Sequence, residues 1–333
     1  MHPSGELRLG TRGSRLAQWQ AGAVAARIAA LGGPPCRITI IKTSGDQDRE
    51  APLSTIGGKR VFVKEIEDAV LRNEIDLAVH SAKDLPATLP DGLTLCAVLP
   101  REDPRDGVVL RATGAEQPVA EGELDVGRLV TILGPSPAIA TGSIRRIAQL
   151  ARVFPGARFG GIRGNIDTRL RKLDAGEHDA LVLATAGLRR LGLGDRVALA
   201  LAPSTCVPAP GQGIVAVEIR ENDNDMRNIV APVDDPASAA ALRAERALVN
   251  GLGAGCQMPV GALASLLPGG SLELVAIVTS LDGAQVLRAT GQSPHEDAAR
   301  LGERVAARLI SQGADDILAA ARETLEAPER VQF

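Results

Sequence analysis

The segment IDLAVHSAKDLP, residues 75–86, indicates the fold class of this chain. It begins with a short apolar run, Ile75 to Val79, which is typical of a strand buried in a parallel sheet. Polar residues follow at once, and open α/β sheets bind their ligands at the carboxyl ends of strands. We therefore predict an α/β domain with a ligand site after this strand, where Ser81, Lys83 and Asp84 lie.

Strand-like and helix-like segments alternate around this stretch, which predicts a parallel sheet with crossover helices. The predicted helices carry apolar residues at helical spacing, namely Leu16, Trp19, Ala23, Ala26 and Ala30 in the first and Val63, Ile66 and Val70 in the second. The further strands are residues 37–42 and 93–99. The charged, proline-containing residues 100–104 then mark a boundary.

A second alternating unit follows this boundary, and it again predicts α/β structure. Its elements are a strand at 129–133, a helix from Ser143, a strand at 157–162, a helix from Asn165 and a strand at 180–184. A third unit has strands at 260–267, 271–279 and 285–289, followed by helices from Pro294 and Asp315. Strands first and helices last predict an α+β domain.

Length and composition restrict the classes of function. A chain of 333 residues is long enough for two or three domains. Aromatic residues make up only 2% of it and the net charge is -3, so a basic, aromatic surface for nucleic acid is not expected. No apolar run of about 20 residues occurs, and no secretion signal is evident. We expect a cytoplasmic protein with no membrane partner.

The four cysteines, Cys36, Cys96, Cys206 and Cys256, lie far apart in the sequence. They form no C-x-x-C motif and have no histidine at ligand spacing, so neither a disulfide framework nor a metal site is predicted. Cys256 is flanked by glycines in GLGAGCQMP and is expected to be accessible, whereas Cys96 lies in an apolar strand. On these residues alone, a function for Cys256 stays open.

Three places combine a strand end, a glycine, a small polar residue suited to helix capping and nearby arginines. They are Arg12, Gly13 and Ser14; Thr141, Gly142 and Ser143 with Arg145 and Arg146; and Arg163, Gly164 and Asn165 with Arg169. Helix amino termini and arginine both bind anions, so the pattern predicts a ligand with several negative charges. The alternative is that the polar residues only cap helices and the arginines are solvated.

The turn that contains Asp84 and two glycine-containing segments, 211–216 and 57–59, are further candidate motifs. Asp84 is suited to act as a general acid or as the counter-charge of a cation, but a simple turn before Pro86 with a packed His80 remains open. The segment 211–216 fits a G-x-G-x-x-A pattern, yet it leads from a Pro-rich turn into a strand. The segment 57–59 lacks P-loop spacing, so we reject a nucleotide-dependent transferase.

Taken together, these motifs resemble those of one family, the porphobilinogen deaminases. The matching motifs are TRGSRLAQWQ, IKTSGD, GGKRVFVKEIE, DLAVHSAKDLP, TGSIRR, IRGNIDTRL, ATAGLRRLGL, PAPGQG and GAGCQMPVGA, in that order. The resemblance implies a transferase that joins four porphobilinogen molecules head to tail, with loss of ammonia, and releases hydroxymethylbilane by hydrolysis. It also implies a dipyrromethane cofactor, held on Cys256 by a thioether, as the primer.

The resemblance assigns residue roles. Asp84 would be catalytic, stabilising the azafulvene-like cation left when ammonia departs and helping to protonate the leaving group. The carboxylates of cofactor and substrate would be held by Arg12, Ser14, Gln20, Ser81, Lys83, Thr141, Ser143, Arg145, Arg146, Arg163, Asn165, Arg169 and Arg190. Phe62, with Lys59, would belong to a lid over the site.

The resemblance also implies three domains. Domain 1 would comprise residues 1–101 and 212–232, domain 2 residues 105–211, and domain 3 residues 235–333. The first two would be α/β domains like the lobes of a periplasmic binding protein, and the strand in GQGIVAVEIR would cross back into domain 1. A monomer is expected. The alternative function is a non-catalytic, two-lobed protein that binds a dicarboxylate.

Overall fold

The computed structural model describes residues 5–44, 63–112, 124–255 and 257–326. Their strands form three sheets, two with five strands and one with three. Two α/β domains and a smaller α+β domain are present, as predicted. The domain boundaries given above stay a prediction.

The first sheet has the strand order β2-β1-β3-β10-β4. Its strands are β1 (Leu7–Thr11), β2 (Cys36–Ile40), β3 (Leu77–Ser81), β4 (Leu93–Val98) and β10 (Val215–Arg220). Helices α1 (Arg15–Ala30), α2 (Lys64–Leu71) and α7 (Asn224–Val230) accompany it. Strand β10 therefore lies in the first sheet, antiparallel to both β3 and β4.

The second sheet has the equivalent order, β7-β6-β8-β5-β9. Its strands are β5 (Asp106–Leu110), β6 (Ala138–Ala140), β7 (Arg158–Gly160), β8 (Ala180–Ala184) and β9 (Leu199–Ala200). Its helices are α3 (Val126–Leu133), α4 (Ile144–Leu150), α5 (Ile166–Asp174) and α6 (Thr185–Arg190).

The fourth strand of each sheet runs antiparallel to the other four, so it starts at the edge where their carboxyl ends lie, which we call the ligand edge. Because Val215 pairs with Ser81, the start of β10 meets the carboxyl end of β3. Because Asp106 pairs with Ala184, the start of β5 meets the carboxyl end of β8. Residues that lead into β5 and β10 therefore lie at the same edges as the polar loops after the parallel strands.

The third domain packs helices on one face of an antiparallel sheet, as predicted. The sheet consists of β11 (Val260–Leu266), β12 (Ser271–Thr279) and β13 (Val286–Pro294). Helices α8 (Pro236–Gly251), α9 (Ala298–Ser311) and α10 (Ala314–Glu326) bury their Leu, Ile, Val and Ala side chains against it. Asp235 caps α8 by accepting a hydrogen bond from the Ser238 backbone N–H.

The predicted strand at residues 129–133 is wrong, because this segment is part of helix α3. Asp125 caps the helix by accepting from the Arg128 backbone N–H, and Gly134 ends it with a positive φ of 74°. Val126, Leu129, Val130 and Leu133 pack into one core cluster at helical spacing. A short apolar run does not distinguish a buried strand from a helix by itself.

The first helix is confirmed, but its predicted apolar face is wrong. The buried residues are Ala17, Gln20, Ala21, Val24 and Ile28, whereas Trp19 is 43% exposed. The buried stripe includes a polar residue, Gln20, because this face lines the ligand edge. None of the helices in the described ranges combines the length and apolar character needed to cross a membrane.

A buried glutamate on α8 ties the third domain to the segments that cross between the two sheets. The Glu245 carboxylate accepts from Arg101 Nη1 at 2.6 Å, from the Gly211 backbone N–H at 2.5 Å and from the Ala264 backbone N–H at 2.7 Å. The Arg101 Nε group also donates to the Gln212 carbonyl at 2.8 Å. The Glu245 carboxylate thus joins the third domain to Arg101, where the chain leaves the first sheet, and to Gly211, where it leads back to that sheet.

Replacing this glutamate should strongly destabilise the protein. Glu245→Ala leaves the Arg101 guanidinium and two backbone N–H groups without their acceptor, and removing one partner of a buried ion pair costs about 3–5 kcal/mol. Urea unfolding should detect the loss. The control is Glu303→Ala on the exposed face of α9, which should change the free energy of unfolding by less than about 0.5 kcal/mol. Equal effects of the two changes would contradict the assignment.

Candidate active site

A small polar cavity of about 70 Å³ lies at the ligand edge of the first sheet. Its polar lining consists of Arg12, Ser14, Gln20, His80, Ser81 and Asp84. The loop after β1 and the loop after β3 supply these side chains, together with the first turns of α1. The structure thus brings the predicted residues Arg12, Ser14, Gln20, Ser81 and Asp84 together with His80, whereas the predicted Lys83 does not line this cavity.

Hydrogen bonds hold the wall of this cavity. Ser14 caps α1 by accepting from the Ala17 backbone N–H at 3.2 Å. The Gln20 Nε2 group donates to Ser81 Oγ at 2.9 Å, which fixes α1 against the end of β3. His80 Nε2 lies 3.1 Å from Glu218 Oε2, and both side chains are buried. These contacts fit the alternative that His80 is a packed side chain with a hydrogen-bond partner.

Asp84 and Lys83 follow β3 in one turn of 3₁₀ helix, Ala82–Asp84. Asp84 faces the cavity, while Lys83 Nζ donates to Gln212 Oε1 at 3.3 Å. Burial, helped by the charges of Arg146 and Arg145 and opposed by those of Asp84 and Asp106, lowers the pKa of Lys83 to about 8. A lysine of this kind carries its charge at neutral pH and loses it in mildly alkaline solution.

Asp106, at the start of β5, occupies the centre of the second sheet's ligand edge and is fully buried. Arg145 Nη1 and Nη2 donate to its two oxygens at 2.6 and 3.1 Å, and Arg146 Nε donates at 2.8 Å. Burial opposes ionisation, but the two guanidinium charges outweigh it and hold the pKa of the Asp106 carboxyl far below its usual range. Arg145 and Arg146 therefore hold an internal carboxylate in this structure.

The same cluster includes a cysteine. Cys206 Sγ donates to Asp106 Oδ2 at 3.3 Å. Burial, with the Asp106 charge, raises the pKa of the Cys206 thiol to about 12, so this thiol stays protonated and is not a nucleophile. Sequence reasoning gave Cys206 no role, and the structure makes it part of the buried cluster.

Two further arginines, Arg163 and Arg169, lie near this cluster, and no described carboxylate forms an ion pair with them. Arg169 donates only to the Gly164 carbonyl, at 2.8 Å, and Arg163 has no acidic partner in the parts of the chain that the structure describes. Burial, together with the nearby charges of Arg146 and Arg163, lowers the pKa of Arg169 to about 10. Like charges held together in a partly buried site favour binding of an anion.

The small polar residues of the second domain start its helices as predicted, but their side chains do not cap them. Ser143 precedes α4 and Asn165 precedes α5, and neither side chain makes a capping hydrogen bond. Thr141 is buried and its Oγ1 lies 3.4 Å from the Ser143 backbone N–H. The helix-capping alternative therefore holds for Ser14 only.

Arg190 and Arg15 make contacts that join the two α/β domains. The guanidinium of Arg190 lies 5.5 Å from the ring centre of Trp19, a cation–π distance, and its Nη2 donates to the Gly213 carbonyl at 2.6 Å. Arg15 Nη1 pairs with Asp167 Oδ1 at 2.8 Å. Arg190, predicted as a ligand residue, thus contacts α1 and the start of β10 in this structure.

Some predicted residues lie outside the described ranges: Cys256, Phe62 and Lys59. The structure does describe their neighbours. Val63 lines the cavity, and Gly255 and Gln257 lie between α8 and β11. No cluster of three or more His, Cys, Asp or Glu residues suited to a metal ion lies within the described ranges.

Sequence reasoning missed Asp106 and Gln212. Gln212 is 1% exposed, and its Nε2 group donates to the Pro104 carbonyl at 2.7 Å and to Asp106 Oδ1 at 2.9 Å. The sequence did contain a signal for Asp106. It stands in PRDG, directly before the apolar run VVL, so its charge is expected at the end of a strand. Among the described residues that line the cavity, Asp84 is the carboxylate and Arg12 the arginine.

Asp106 should be required for stability. Asp106→Asn keeps the shape but leaves two buried guanidinium groups without a counter-charge, which should cost about 3–5 kcal/mol. The matched control is Asp167→Asn, since the exposed Arg15–Asp167 pair should contribute less than about 1 kcal/mol. Urea unfolding of both variants is the measurement, and a loss below about 1 kcal/mol for Asp106→Asn would contradict the assigned role.

Comparison with known proteins gives close relatives over almost the whole chain. A porphobilinogen deaminase of Chromobacterium violaceum is 45% identical over 317 residues, which are 95% of this chain and 97% of the relative. A porphobilinogen deaminase of Syntrophobacter fumaroxidans is 42% identical over 313 residues, covering 94% and 96%.

Solved structures give only distant likenesses. A TRAP periplasmic solute-binding protein from Ralstonia eutropha superposes with a TM-score of 0.38 at 13% identity, over 96% of this chain and 98% of that one. The second substrate-binding domain of Lactococcus lactis GlnP gives a TM-score of 0.39 at 9% identity, over 70% and 89%. Superpositions this loose support no argument about fold or ligand.

Two family models match the chain. One is porphobilinogen deaminase, dipyromethane cofactor binding domain, over residues 7–228, and the other is porphobilinogen deaminase, C-terminal domain, over residues 239–311. Together with relatives that are more than 40% identical over nearly their full length, these matches establish the family. The chain belongs to the porphobilinogen deaminases, transferases that use a dipyrromethane cofactor.

Proposed function

We propose that this chain polymerises four porphobilinogen molecules head to tail on a dipyrromethane held by a thioether at Cys256, with Asp84 as the catalytic residue. The observation that carries the proposal is the placement of one carboxylate in a polar cavity beside a cluster of arginines. That arrangement suits a ligand with many carboxylates and a reaction that develops positive charge.

The residues present fit the dipyrromethane. The described site contains more cationic than anionic side chains, and Lys83, Arg163 and Arg169 lack a direct carboxylate partner there. Each pyrrole ring of the family's substrate bears an acetate and a propionate, so the growing chain is a polyanion. When bound, the dipyrromethane supplies the nucleophilic pyrrole carbon that starts the chain.

Asp84 would act on the incoming porphobilinogen. A carboxylate in a small cavity can stabilise the positive charge that remains on a pyrrole when ammonia leaves, and in its protonated form it can give a proton to the departing nitrogen. Arg12 lines the same cavity and would orient a ring carboxylate. The Gln20–Ser81 hydrogen bond would keep the cavity wall in place during repeated cycles.

The remaining contacts would hold carboxylates of cofactor and substrate. We assign them to Arg12, Ser14, Gln20, Ser81, Lys83, Thr141, Ser143, Arg145, Arg146, Arg163, Asn165, Arg169 and Arg190. For Arg145 the assignment requires a ligand carboxylate to compete with Asp106, which now accepts from both of its terminal nitrogens. Phe62 and Lys59 remain assigned to a lid.

We also propose that the enzyme is a cytoplasmic monomer. The described cysteines Cys36, Cys96 and Cys206 are free thiols, which persist in a reducing compartment. The alternative of a non-catalytic dicarboxylate-binding protein is disfavoured, since the relatives carry the name of a deaminase.

Asp84→Asn tests the catalytic role. The change removes the charge and the proton-donating acid but preserves shape, so we expect turnover of porphobilinogen to fall by at least about 10²-fold, the usual contribution of a general acid or base. Steady-state assays of hydroxymethylbilane formation measure it. The control is Asp91→Asn, in an exposed position before β4, which should keep normal turnover. A fully active Asp84→Asn enzyme would exclude the role.

A further inference from the structure

The side chain of Gln212 contacts both α/β domains at once. Its Oε1 accepts from Lys83 Nζ of the first domain at 3.3 Å and lies 3.5 Å from Arg146 Nη2 of the second. Its Nε2 donates to Asp106 Oδ1 and to the Pro104 carbonyl. Every hydrogen-bonding capacity of this buried amide is therefore used, which fixes the orientation of its oxygen and nitrogen.

The chemistry of an amide explains why this position suits glutamine. Only a group with both an acceptor and a donor can contact an ammonium on one side and a carboxylate on the other while staying neutral. Lys83 and Asp106 have opposite charges and are close enough for Asp106 to raise the pKa of Lys83. Gln212 lies between them, since its Oε1 accepts from Lys83 and its Nε2 donates to Asp106.

We propose that Gln212 is a positioning residue that separates Lys83 from Asp106 and so keeps the Lys83 ammonium available for a carboxylate of the ligand. This inference rests on the proposed role of Lys83 in binding carboxylates. A direct salt bridge to Asp106 would neutralise Lys83 and draw it away from the cavity that contains Asp84.

The charged groups around Lys83 determine how pH should act. In the described part of the chain they are Asp84 on the same turn, Asp106 on β5, and Arg145 and Arg146 on α4. Burial and the two arginines lower the pKa of Lys83 to about 8. Lys83 is therefore charged below about pH 8 and neutral above it, so binding of porphobilinogen should weaken, and its KM should rise, above that pH.

Gln212→Ala tests the proposal in the cofactor-loaded enzyme. Lys83 would then pair with Asp106, and an adjacent opposite charge raises the pKa of a lysine, typically by about 1–3 units. The KM for porphobilinogen should increase about tenfold at pH 7, the effect of losing a charge-assisted hydrogen bond. The pH at which KM rises should also move upward.

The pKa of Lys83 can be measured without turnover. The chain has few lysines, namely Lys42, Lys59, Lys64, Lys83 and Lys172, so NMR titration of ¹³C-labelled lysine, assigned with Lys83→Arg, resolves it. We expect titration near pH 8 in the wild type and at clearly higher pH in Gln212→Ala. Because no catalysis is involved, failure of the role of Asp84 would leave this result intact.

The matched control is Gln149→Ala. Gln149 is another buried glutamine, and its amide bonds only the backbone of Val207. Its removal should reduce stability without moving the titration of Lys83. A folded Gln212→Ala variant with an unchanged Lys83 titration would overturn the proposal, because Gln212 would then only fill space. If that variant fails to fold, a wild-type Lys83 that titrates near the ordinary value of about 10.4 would overturn it as well.

Discussion

The carboxylate of Asp106, buried between the guanidinium groups of Arg145 and Arg146, is the interaction on which the rest of the site depends. A buried cation is tolerated only with a partner, and one carboxylate here serves two cations. Within the described residues, the cluster therefore keeps a positive charge that no carboxylate balances. Arg163, Arg169 and Lys83 lie around it, and burial, with a smaller effect of the neighbouring cations, lowers the pKa values of Arg169 and Lys83.

The topology of the two sheets explains how these charges meet. In each sheet, the fourth strand is the one that comes directly from the other domain. This strand runs antiparallel, so its first residue lies at the carboxyl ends of the parallel strands. Asp106 lies where the chain enters β5, and Gln212 lies in the segment that leads back into β10. Glu245 then fixes the crossings to the third domain through Arg101 and Gly211. Ligand contacts and domain arrangement are thus determined by the same few residues.

Much of the fold and part of the site could be predicted from the sequence. The polar turn with Asp84 was found because it follows a buried apolar run, and the motifs around Ser14, Ser143 and Asn165 do begin helices. Helix α3 was missed because a short apolar run satisfies strand and helix alike. Asp106 and Gln212 were missed because their bonds join residues 106 positions apart, and no local pattern reports such a pairing. The assignments of Cys256, Phe62 and Lys59 came from resemblance alone and stay predictions.

The central claim is that this member of the family builds its product on a primer bound to its own cysteine. The most direct measurement is the intact mass of the purified protein, compared with Cys256→Ser and with the mass calculated from the sequence. The account predicts an excess equal to two linked pyrrole units in the wild type and none in the variant, with incubation in porphobilinogen converting any unloaded enzyme. A wild-type protein that keeps its unmodified mass after that incubation, or a Cys256→Ser protein that carries the same excess, would contradict it.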